Sequence, residues 1–363
     1  MAVDRMYRWD YPHPLIADGL PADKVALRHK CLIAAIMKNE GPYVVEWACY
    51  QYALGFREIL IFSNFCDDLS DRILDRLDDL GIVRHRPHPK PVFPSVGQIR
   101  ISALRFTKSF GQFHDSDYFF MTDVDEFLEV FVGDHDLNSF FDSEADFEVA
   151  SFLMRGRSGE DDKHIDDGLM LPRFKQSAWS DASAVDPKRS GICSVKSLAR
   201  TKMPGGFQRN HRPMSRQFSK LGKRWIDGGG RELPSGFTDR RVSSLRVPPH
   251  PQKAVINHYA TRSAEGFIVK MARGAADSAD RSVANEKALQ NWLRYWTDRK
   301  ASIGGPEEVP HTPPLFEELH AHILSDPVIA ALQEETIAIH RSRAPDALNS
   351  ENGDLIRRTL GLD

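Results

Sequence analysis

Two aspartates separated by one residue, Asp123 and Asp125, are the residues best placed to do chemistry in this sequence. They directly follow the apolar stretch Tyr118 to Met121, which is typical of a buried strand. If the extended backbone continues through Asp125, both carboxylates point to the same side. A hard divalent cation such as Mg²⁺ or Mn²⁺ is held by one or two carboxylates together with substrate phosphate oxygens. The pair therefore predicts a cation site that also binds phosphate.

The alternative is that the two aspartates occur together by chance, since the chain contains 51 acidic residues. In that case they could cap a helix that begins at Glu126. Their position after a strand favours the cation site, since ligands of open α/β sheets bind at the carboxyl ends of the strands. His258 lies at the end of another apolar run, and a neutral imidazole can complete the coordination of Mn²⁺. The predicted metal ligands are Asp123, Asp125 and His258, although a histidine in this position can also be a structural hydrogen-bonding residue.

Polar residues follow the first two predicted strands, where a nucleotide base and ribose could be bound by hydrogen bonds. They are Asn39, Glu40, Asn64 and Asp68. The alternative for all of them is turn and helix-capping chemistry, which Asn and Asp perform in most proteins.

The second half of the chain carries a series of side chains that could contact an anionic diphosphate. The series comprises Lys196, Arg200, His211, Arg212, Arg262, Lys270 and Arg273. Lys196, Arg262 and Lys270 are the strongest candidates, and the alternative is that the series is solvated surface charge.

A general base would be needed to take a proton from an attacking hydroxyl group, and such a base contributes roughly 10²–10⁴-fold to rate. Glu160, Asp161 and Asp162 follow a predicted strand at the expected edge of the sheet. The candidate catalytic residues are Asp161, Asp162 and Glu126.

From about residue 30, apolar runs alternate with amphipathic segments. This pattern predicts βα units around a mostly parallel sheet flanked by helices, and these elements must position the candidate residues. The predicted strands cover residues 31–37, 57–62, 82–85, 118–121, 147–154 and 254–259, and the predicted helices begin at Pro42 and cover 67–80, 96–113, 264–273, 283–299, 315–324 and 327–340. Residues 155–251 are rich in Gly, Pro and charged residues and predict long functional loops.

The predicted organisation is an extension at residues 1–29, an α/β domain at 30–275 and a C-terminal helical appendage at 276–363. The α/β domain divides into a nucleotide-binding half, 30–130, and an irregular acceptor-side half, 131–275. A linker rich in Gly and Pro precedes the last helices.

Composition and charge exclude some classes of partner and location. A net charge of −3 gives no global field for DNA or RNA, so nucleic acid is not an expected partner. The four cysteines show neither zinc-ligand spacing nor the density of a disulfide scaffold, which predicts reduced thiols and a cytoplasmic location. The N-terminal residues lack a secretory segment, and the longest apolar run, Cys31 to Met37, is too short to span a bilayer, so only peripheral membrane contact is expected.

Short motifs in a fixed order resemble bacterial family-2-like glycosyltransferases, which are related to the domain of family 92. The motifs cover about residues 30–275. They are Met37-Lys38-Asn39-Glu40-Gly41-Pro42-Tyr43 with Glu46-Trp47, Ser63-Asn64-Phe65-Cys66-Asp67-Asp68, Thr122-Asp123-Val124-Asp125-Glu126-Phe127, Val195-Lys196-Ser197 with Arg200, His211-Arg212-Pro213, Trp225-Ile226-Asp227-Gly228, and Asn257-His258-Tyr259 with Arg262-Ser263, Phe267, Lys270, Arg273 and Gly274. Two segments depart from the pattern: Leu69-Ser70 replaces Gly-Thr, and Arg155 to Gly159 is a variant of Arg-x-Phe-Gly-Ser-Ser-Gly.

The resemblance implies a GT-A fold, Mn²⁺ or Mg²⁺ as cofactor, and transfer of a sugar from a nucleotide-diphosphate donor, in particular a UDP-sugar. It also implies inversion at the anomeric carbon and a glycan or glycolipid acceptor. Two alternatives stay open from the residues alone. One is a metal-dependent nucleotidyltransferase using the same aspartates, and the other is a non-catalytic nucleotide or carbohydrate binder that kept the fold.

Overall fold

The computed structural model describes residues 26–91, 99–159, 162–179, 192–203, 209–247, 250–274, 286–301 and 307–362. At its centre lies the strand Cys31–Met37, all of whose residues are buried. Alternate side chains face two cores: Ile33 and Met37 belong to one, and Ile36 belongs to the other. A strand covered on both faces must be apolar throughout, which is why this run was readable from the sequence.

Within the described ranges, eleven strands form one sheet. They are β1 Cys31–Met37, β2 Phe56–Ser63, β3 Arg84–Pro87, β4 Tyr118–Thr122, β5 Glu126–Val130, β6 Val149–Ser158, β7 Gln176–Ala178, β8 Ile192–Arg200, β9 Trp225–Asp227, β10 Ser244–Arg246 and β11 Ala254–His258. The main order is β3-β2-β1-β4-β8-β6-β11-β5, with β10 on β8 and both β7 and β9 on β6.

The first four strands of that order pair in parallel. Beyond them β8 is antiparallel to both β4 and β6, and β11 is parallel to β6 but antiparallel to β5. The predicted α/β class, a Rossmann-like sheet flanked by helices and consistent with a GT-A fold, is confirmed. Its parallel part is concentrated in the first half of the chain.

The helices flank this sheet on both faces. They are α1 Gly41–Leu54, α2 Ser70–Asp79, α3 Ile99–Thr107, α4 Gly111–Asp115, α5 Leu137–Asp142, α6 Met170–Arg173, α7 Ser235–Thr238, α8 Ala264–Arg273, α9 Glu286–Ala301, α10 Leu315–Leu324, α11 Pro327–Leu348 and α12 Gly353–Leu360. The core on the α1 face includes Trp47 and Tyr50, and the core on the opposite face includes Ala103 and Phe106 of α3. Among the described residues, no helix combines the length and apolar character needed to cross a membrane.

The two neighbours of β1 lie on opposite sides of it, and this arrangement determines where a ligand can bind. One connection leads from β1 through α1 to β2, whereas β4 lies on the other side of β1. A sheet of this kind opens a crevice at the carboxyl ends of the strands where the order reverses. Glu40, after β1, and Asp123, after β4, therefore lie at the edge where a ligand is expected.

Two local predictions were wrong. The segment after β4 forms a turn in which the N–H of Glu126 donates to the carbonyl of Asp123 at 3.1 Å, so the extended backbone does not continue through Asp125. Glu126 then begins strand β5, so the alternative in which the two aspartates cap a helix at Glu126 does not apply. The loop region predicted for residues 155–251 also contains β8, a nine-residue strand in the middle of the sheet.

The C-terminal helices pack against the first half of the chain. Phe316, Leu319 and Ile323 of α10 are buried in the same core as α1. Helix α11 contacts α1, α2 and α8. The predicted appendage is thus continuous with the main hydrophobic core.

Candidate active site

A cleft of about 270 Å³ opens at the carboxyl ends of β1 and β4. Acidic and basic side chains line it together. The charged and imidazole residues of its wall are Glu40, Arg100, Asp123, Asp125, Glu126, His211, His258, Lys270, Arg273 and Arg299. Trp292 and Tyr295, on α9, add aromatic surface.

Asp125 is buried at the base of this cleft and is paired with a cation. Lys270 donates to its Oδ2 at 2.6 Å, and His258 Nε2 lies 3.7 Å from the same oxygen. Burial alone would raise the pKa of the Asp125 carboxyl, but Lys270 and His258 outweigh burial and hold the pKa well below its usual range. Asp125 is therefore an ionised carboxylate at neutral pH.

Three potential metal ligands converge on one point. One ligand atom each of Asp125, Glu126 and His258 lies within 4.8 Å of the others. Two carboxylates and an imidazole fit a divalent ion such as Mn²⁺. Within the described part of the chain, the Nδ1 atom of His258 is buried without a hydrogen-bond partner, so this donor set contains a nitrogen that no protein group satisfies.

Asp123 lies next to these three residues, but its carboxylate contacts basic side chains. Lys196 Nζ is 3.1 Å from its Oδ2 and Arg100 is 3.3 Å from its Oδ1. Burial would raise the pKa of the Asp123 carboxyl, but the charges of Lys196 and Arg100 lower it to about 2. The predicted ligand set contained Asp123, whereas the structure groups Glu126 with Asp125 and His258. The turn after β4 is the physical reason, because it brings the Glu126 side chain back to the site.

Glu126 is held rigidly in this position. Its Oε2 accepts from the Thr122 hydroxyl at 2.7 Å and from the Asp123 N–H at 2.9 Å, and Lys196 Nζ lies 2.9 Å away. Burial raises the pKa of the Glu126 carboxyl, because the Lys196 charge compensates only part of the desolvation. This side chain, predicted as a catalytic candidate, is placed by the structure where it could hold a cation.

Lys196 connects the two carboxylates from β8. Its side chain is fully buried and reaches Asp123, Glu126 and, at 3.4 Å, the Asn210 side-chain oxygen. Burial would lower the pKa of the Lys196 ammonium group, but the two carboxylates outweigh it and raise the pKa. The predicted diphosphate contact is thus an internal counter-ion of the acidic cluster.

Glu40 is engaged by two arginines from the region of α8. Arg262 donates to it at 2.7 Å and Arg273 donates to its other oxygen. The Arg262 guanidinium also stacks over the Tyr43 ring, 3.8 Å from the centroid. In the described residues, Nη1 of Arg273 is buried without a hydrogen-bond partner, in a side chain that lines the cleft. Lys270 and Arg273, on one helix, therefore bring positive charge to the cleft.

The other predicted nucleotide contacts do not line the cleft. Asn39 exchanges hydrogen bonds with Asp67, and Asn64 is buried at the end of β2. Asp68 is fully buried, where it accepts from the Gly41 N–H at 3.1 Å and contacts His340 at 2.6 Å. The turn and capping chemistry considered as the alternative describes the contacts of Asn39 and Asp68.

Of the predicted bases after β6, the structure describes only Asp162, and it lies outside the cleft. Asp162 pairs with Arg173 and lines a separate cavity. Asp161 and Glu160 lie outside the described residues. Glu126 is the only one of the three candidate catalytic residues that the described structure places in the cleft.

The positive series separates into different roles. Arg200 pairs with Asp146, and Arg212 donates to the backbone carbonyls of Phe237, Thr238 and Val242. His211 contacts the Val195 carbonyl through Nδ1 at 3.2 Å.

His211 does not belong to the positive series at neutral pH. Burial and the nearby Lys196 charge lower the pKa of its imidazole to about 4. The neutral ring lines the cleft. His211 therefore offers a neutral ring, and not a positive charge, to an anionic ligand in the cleft.

Several cleft residues were missed by the sequence analysis. Arg100, on α3, and Asn210, before His211, line the cleft, as do Trp292 and Tyr295 on α9. Arg100 is one of two arginines, with Arg105, on helix α3, and the helix sequence offers no signal that separates the two.

Comparison with known proteins adds little. No protein-family model and no curated protein matches this sequence. Among solved structures, the chain is similar to residues 1–349 of S. aureus TarS in complex with UDP. The similarity covers 87% of this chain and 90% of that chain, with 11% identity and a TM-score of 0.31. So low a similarity transfers no activity or substrate to the present chain.

Proposed function

We propose that this chain is a metal-dependent glycosyltransferase that moves a sugar from a nucleotide-diphosphate donor, in particular a UDP-sugar, to a hydroxyl group of a glycan or glycolipid. The observation that carries the proposal is the convergence of Asp125, Glu126 and His258 at the carboxyl end of β4, in a cleft that also contains Lys270 and Arg273. A cation site beside positive side chains fits a diphosphate leaving group. The ordered motifs of the sequence support the same activity.

The proposed reaction is a displacement at the anomeric carbon. The acceptor hydroxyl group gives its proton to a base, its oxygen forms a bond to that carbon, the bond from the carbon to the diphosphate oxygen breaks, and the electron pair leaves with the diphosphate. A divalent cation held by Asp125, Glu126 and His258 would supply Lewis-acid stabilisation of the leaving group. Lys270 and Arg273 stabilise the same charge from the protein side. Attack opposite the leaving group inverts the configuration.

Glu126 is proposed as a metal ligand and not as the base, since Thr122, Asp123 and Lys196 already engage one of its carboxylate oxygens. Asp161 remains the proposed base and lies outside the described residues. Trp292 and Tyr295 offer aromatic faces in the cleft on which a sugar ring can pack.

The test is binding of UDP with and without Mn²⁺ to wild type and to the isosteric variant Asp125→Asn. We expect Mn²⁺-dependent thermal stabilisation by UDP in the wild type, because a ligand that binds only the folded state stabilises it by mass action. We expect Asp125→Asn to lose this effect and the turnover of UDP-sugars. Asp354→Asn is the matched control, since the Asp354 side chain is 91% exposed.

Three outcomes would contradict the proposal. Unchanged Mn²⁺-dependent binding in Asp125→Asn would remove the metal assignment. Consumption of labelled nucleoside triphosphates but not of labelled nucleotide sugars would indicate a nucleotidyltransferase. Binding of UDP without turnover of any donor would indicate a non-catalytic binder.

A further inference from the structure

A second cavity of about 630 Å³ lies directly beside the cleft. The two share Arg100, Asn210 and His211 as a common wall. The second cavity is formed by α3, by the segment around His211 and by residues 241–243. We call it the basic cavity.

The charge of the basic cavity has one sign. Its basic lining residues are Arg100, Arg105, Lys108, Arg209, Arg212 and Arg241. Among the described residues that line it there is no aspartate or glutamate. A concave surface lined by one sign of charge concentrates ligands of the opposite sign.

The basic residues of the cavity have different partners: Arg100 pairs with Asp123 on the side of the cleft, whereas Arg212 contacts neutral groups. Arg212 is buried and donates to backbone carbonyls, which carry no net charge. The carbonyl contacts leave the charge of Arg212 in place, and Arg105, Arg209 and Arg241 add further guanidinium groups to the wall of the cavity.

Apolar side chains form another part of the wall of the basic cavity. Ile101, Leu104, Met214 and Val242 contribute to it. Ile101 is 37% exposed and Val242 is 39% exposed, although large apolar side chains of this chain are mostly buried. The basic cavity therefore joins cationic groups to an apolar surface, whereas the neighbouring cleft contains the carboxylates.

We propose that the basic cavity binds a phosphate group carried by the acceptor, and this rests on the proposed glycosyltransferase function. An acceptor hydroxyl must come within about 3–3.5 Å of the donor carbon, so the rest of the acceptor extends into adjoining space. The cavity across the wall of Arg100 and His211 offers that space, with a volume in the range of small-molecule sites. Arginine and lysine are the side chains that bind phosphate esters.

The test uses glucose 6-phosphate and glucose as soluble probes, measured by titration calorimetry with UDP and Mn²⁺ present at saturating concentration. We expect tighter binding of glucose 6-phosphate than of glucose, with an affinity that falls as salt is added. In the double variant Arg105→Glu/Lys108→Glu we expect at least a roughly tenfold loss of that affinity, from two lost charge-assisted contacts. A second arm measures binding to phosphatidylcholine vesicles with and without phosphatidic acid.

The matched control is Arg294→Glu/Lys220→Glu, which makes the same change in net charge at exposed positions outside the cavity. The proposal is supported if phosphate-dependent binding is lost in the cavity variant and kept in the control. Loss of binding to glucose 6-phosphate would indicate a soluble acceptor phosphate, and loss of binding to phosphatidic acid vesicles would indicate a lipid phosphate. Equal binding by both double variants in both arms would overturn the proposal, as would displacement of glucose 6-phosphate by UDP, since the cavity would then belong to the donor site. UDP and Mn²⁺ binding by the cavity variant is the check that it folds. The calorimetric titration is repeated without UDP and Mn²⁺, so that failure of wild type to bind UDP would contradict the proposed function while the probe measurement still tests the basic cavity.

Discussion

The carboxylates in the cleft already have internal counter-ions. Asp125 is paired with Lys270, and Asp123 is paired with Lys196 and Arg100. In the proposed reaction, a divalent cation on Asp125 would replace the charge of Lys270, which then becomes available to a diphosphate. Cation and donor are therefore expected to bind more tightly together than separately.

At the residue scale, the sequence predicted the place of the site better than the role of each side chain. Asp125, His258 and Lys270 come together at the predicted edge of the sheet. The exchange of Asp123 for Glu126 in the ligand group depends on a turn, which no periodicity in the sequence announces. Asp68 could not be assigned either, because its partner His340 lies 272 residues away in the chain.

Asp68 gives a prediction on the pH dependence of stability. Burial would raise the pKa of its carboxyl, but the hydrogen bond to His340 and those from Ser70 lower it from 3.8 to about 2. A folded-state pKa below the unfolded value means stabilisation that is present above about pH 4 and lost as the pH falls towards 2. We expect Asp68→Asn to be less stable than wild type by about 2 kcal/mol at pH 7, and this gap to shrink below pH 4.

Urea unfolding of both proteins between pH 7 and pH 3 measures this gap. The control is Asp354→Asn, whose carboxylate is exposed. A gap that stays constant over the whole range would show that the Asp68 contacts do not depend on its ionisation.

At the element scale, strands buried on both faces were readable, and of the short or polar strands described, β3 was predicted two residues early while β8 was missed. Residues 31–37 and the helices at 264–273 and 315–324 were predicted with their observed bounds. Strand β8 was missed because it carries Lys196 and Ser197, which face polar partners inside the molecule. Such a strand lacks the apolar run or regular alternation on which strand prediction depends.

The close packing of α1 against α11 predicts how a methyl group added at Gly41 would change the stability of the fold. A Cβ added at Gly41 would lie 2.0 Å from the Thr336 hydroxyl oxygen and 2.9 Å from its Cβ. We expect Gly41→Ala to destabilise the fold by roughly 1–3 kcal/mol or more, as overpacking does in well-packed cores. Thermal or urea unfolding measures the loss.

Gly111→Ala is the matched control, because a Cβ there meets nothing within 4 Å. That change should be neutral or slightly stabilising, by up to about 1 kcal/mol. The double variant Gly41→Ala/Thr336→Ala should recover part of the loss. Equal stability of Gly41→Ala and wild type would show that α11 can move away from α1 without penalty.

At the scale of the whole molecule, the C-terminal helices complete the core. The sequence predicted helices there, but it could not show that Phe316, Leu319, Ile323 and Ile329 join the residues of α1 in one cluster. Contacts between distant parts of a chain depend on the three-dimensional arrangement and leave no local pattern.

A chain that ends at Pro310 should therefore fail to fold cooperatively. Each of the four lost core side chains contributes about 1.5–3 kcal/mol on burial, and their sum is comparable to the whole stability of a typical domain. Circular dichroism and urea unfolding check this. Phe316→Ala should cost about 3–5 kcal/mol in the full chain, while Val328→Ala, at a position 47% exposed, should cost little.

A cooperative unfolding transition in the shortened chain, with an unchanged midpoint, would contradict the prediction. It would mean that residues 30–275 form a self-sufficient unit, as the domain boundaries expected from the sequence imply.

The contact between Asp68 and His340 also affects the order of events during synthesis on the ribosome. The start of α1 is held by Asp68, which is itself held by His340 and by the Thr336 hydroxyl. These partners are translated about 270 residues later, which takes on the order of 10–50 s at ordinary elongation rates. We expect residues 30–130, which emerge first, to reach their final packing only after α11 has left the exit tunnel.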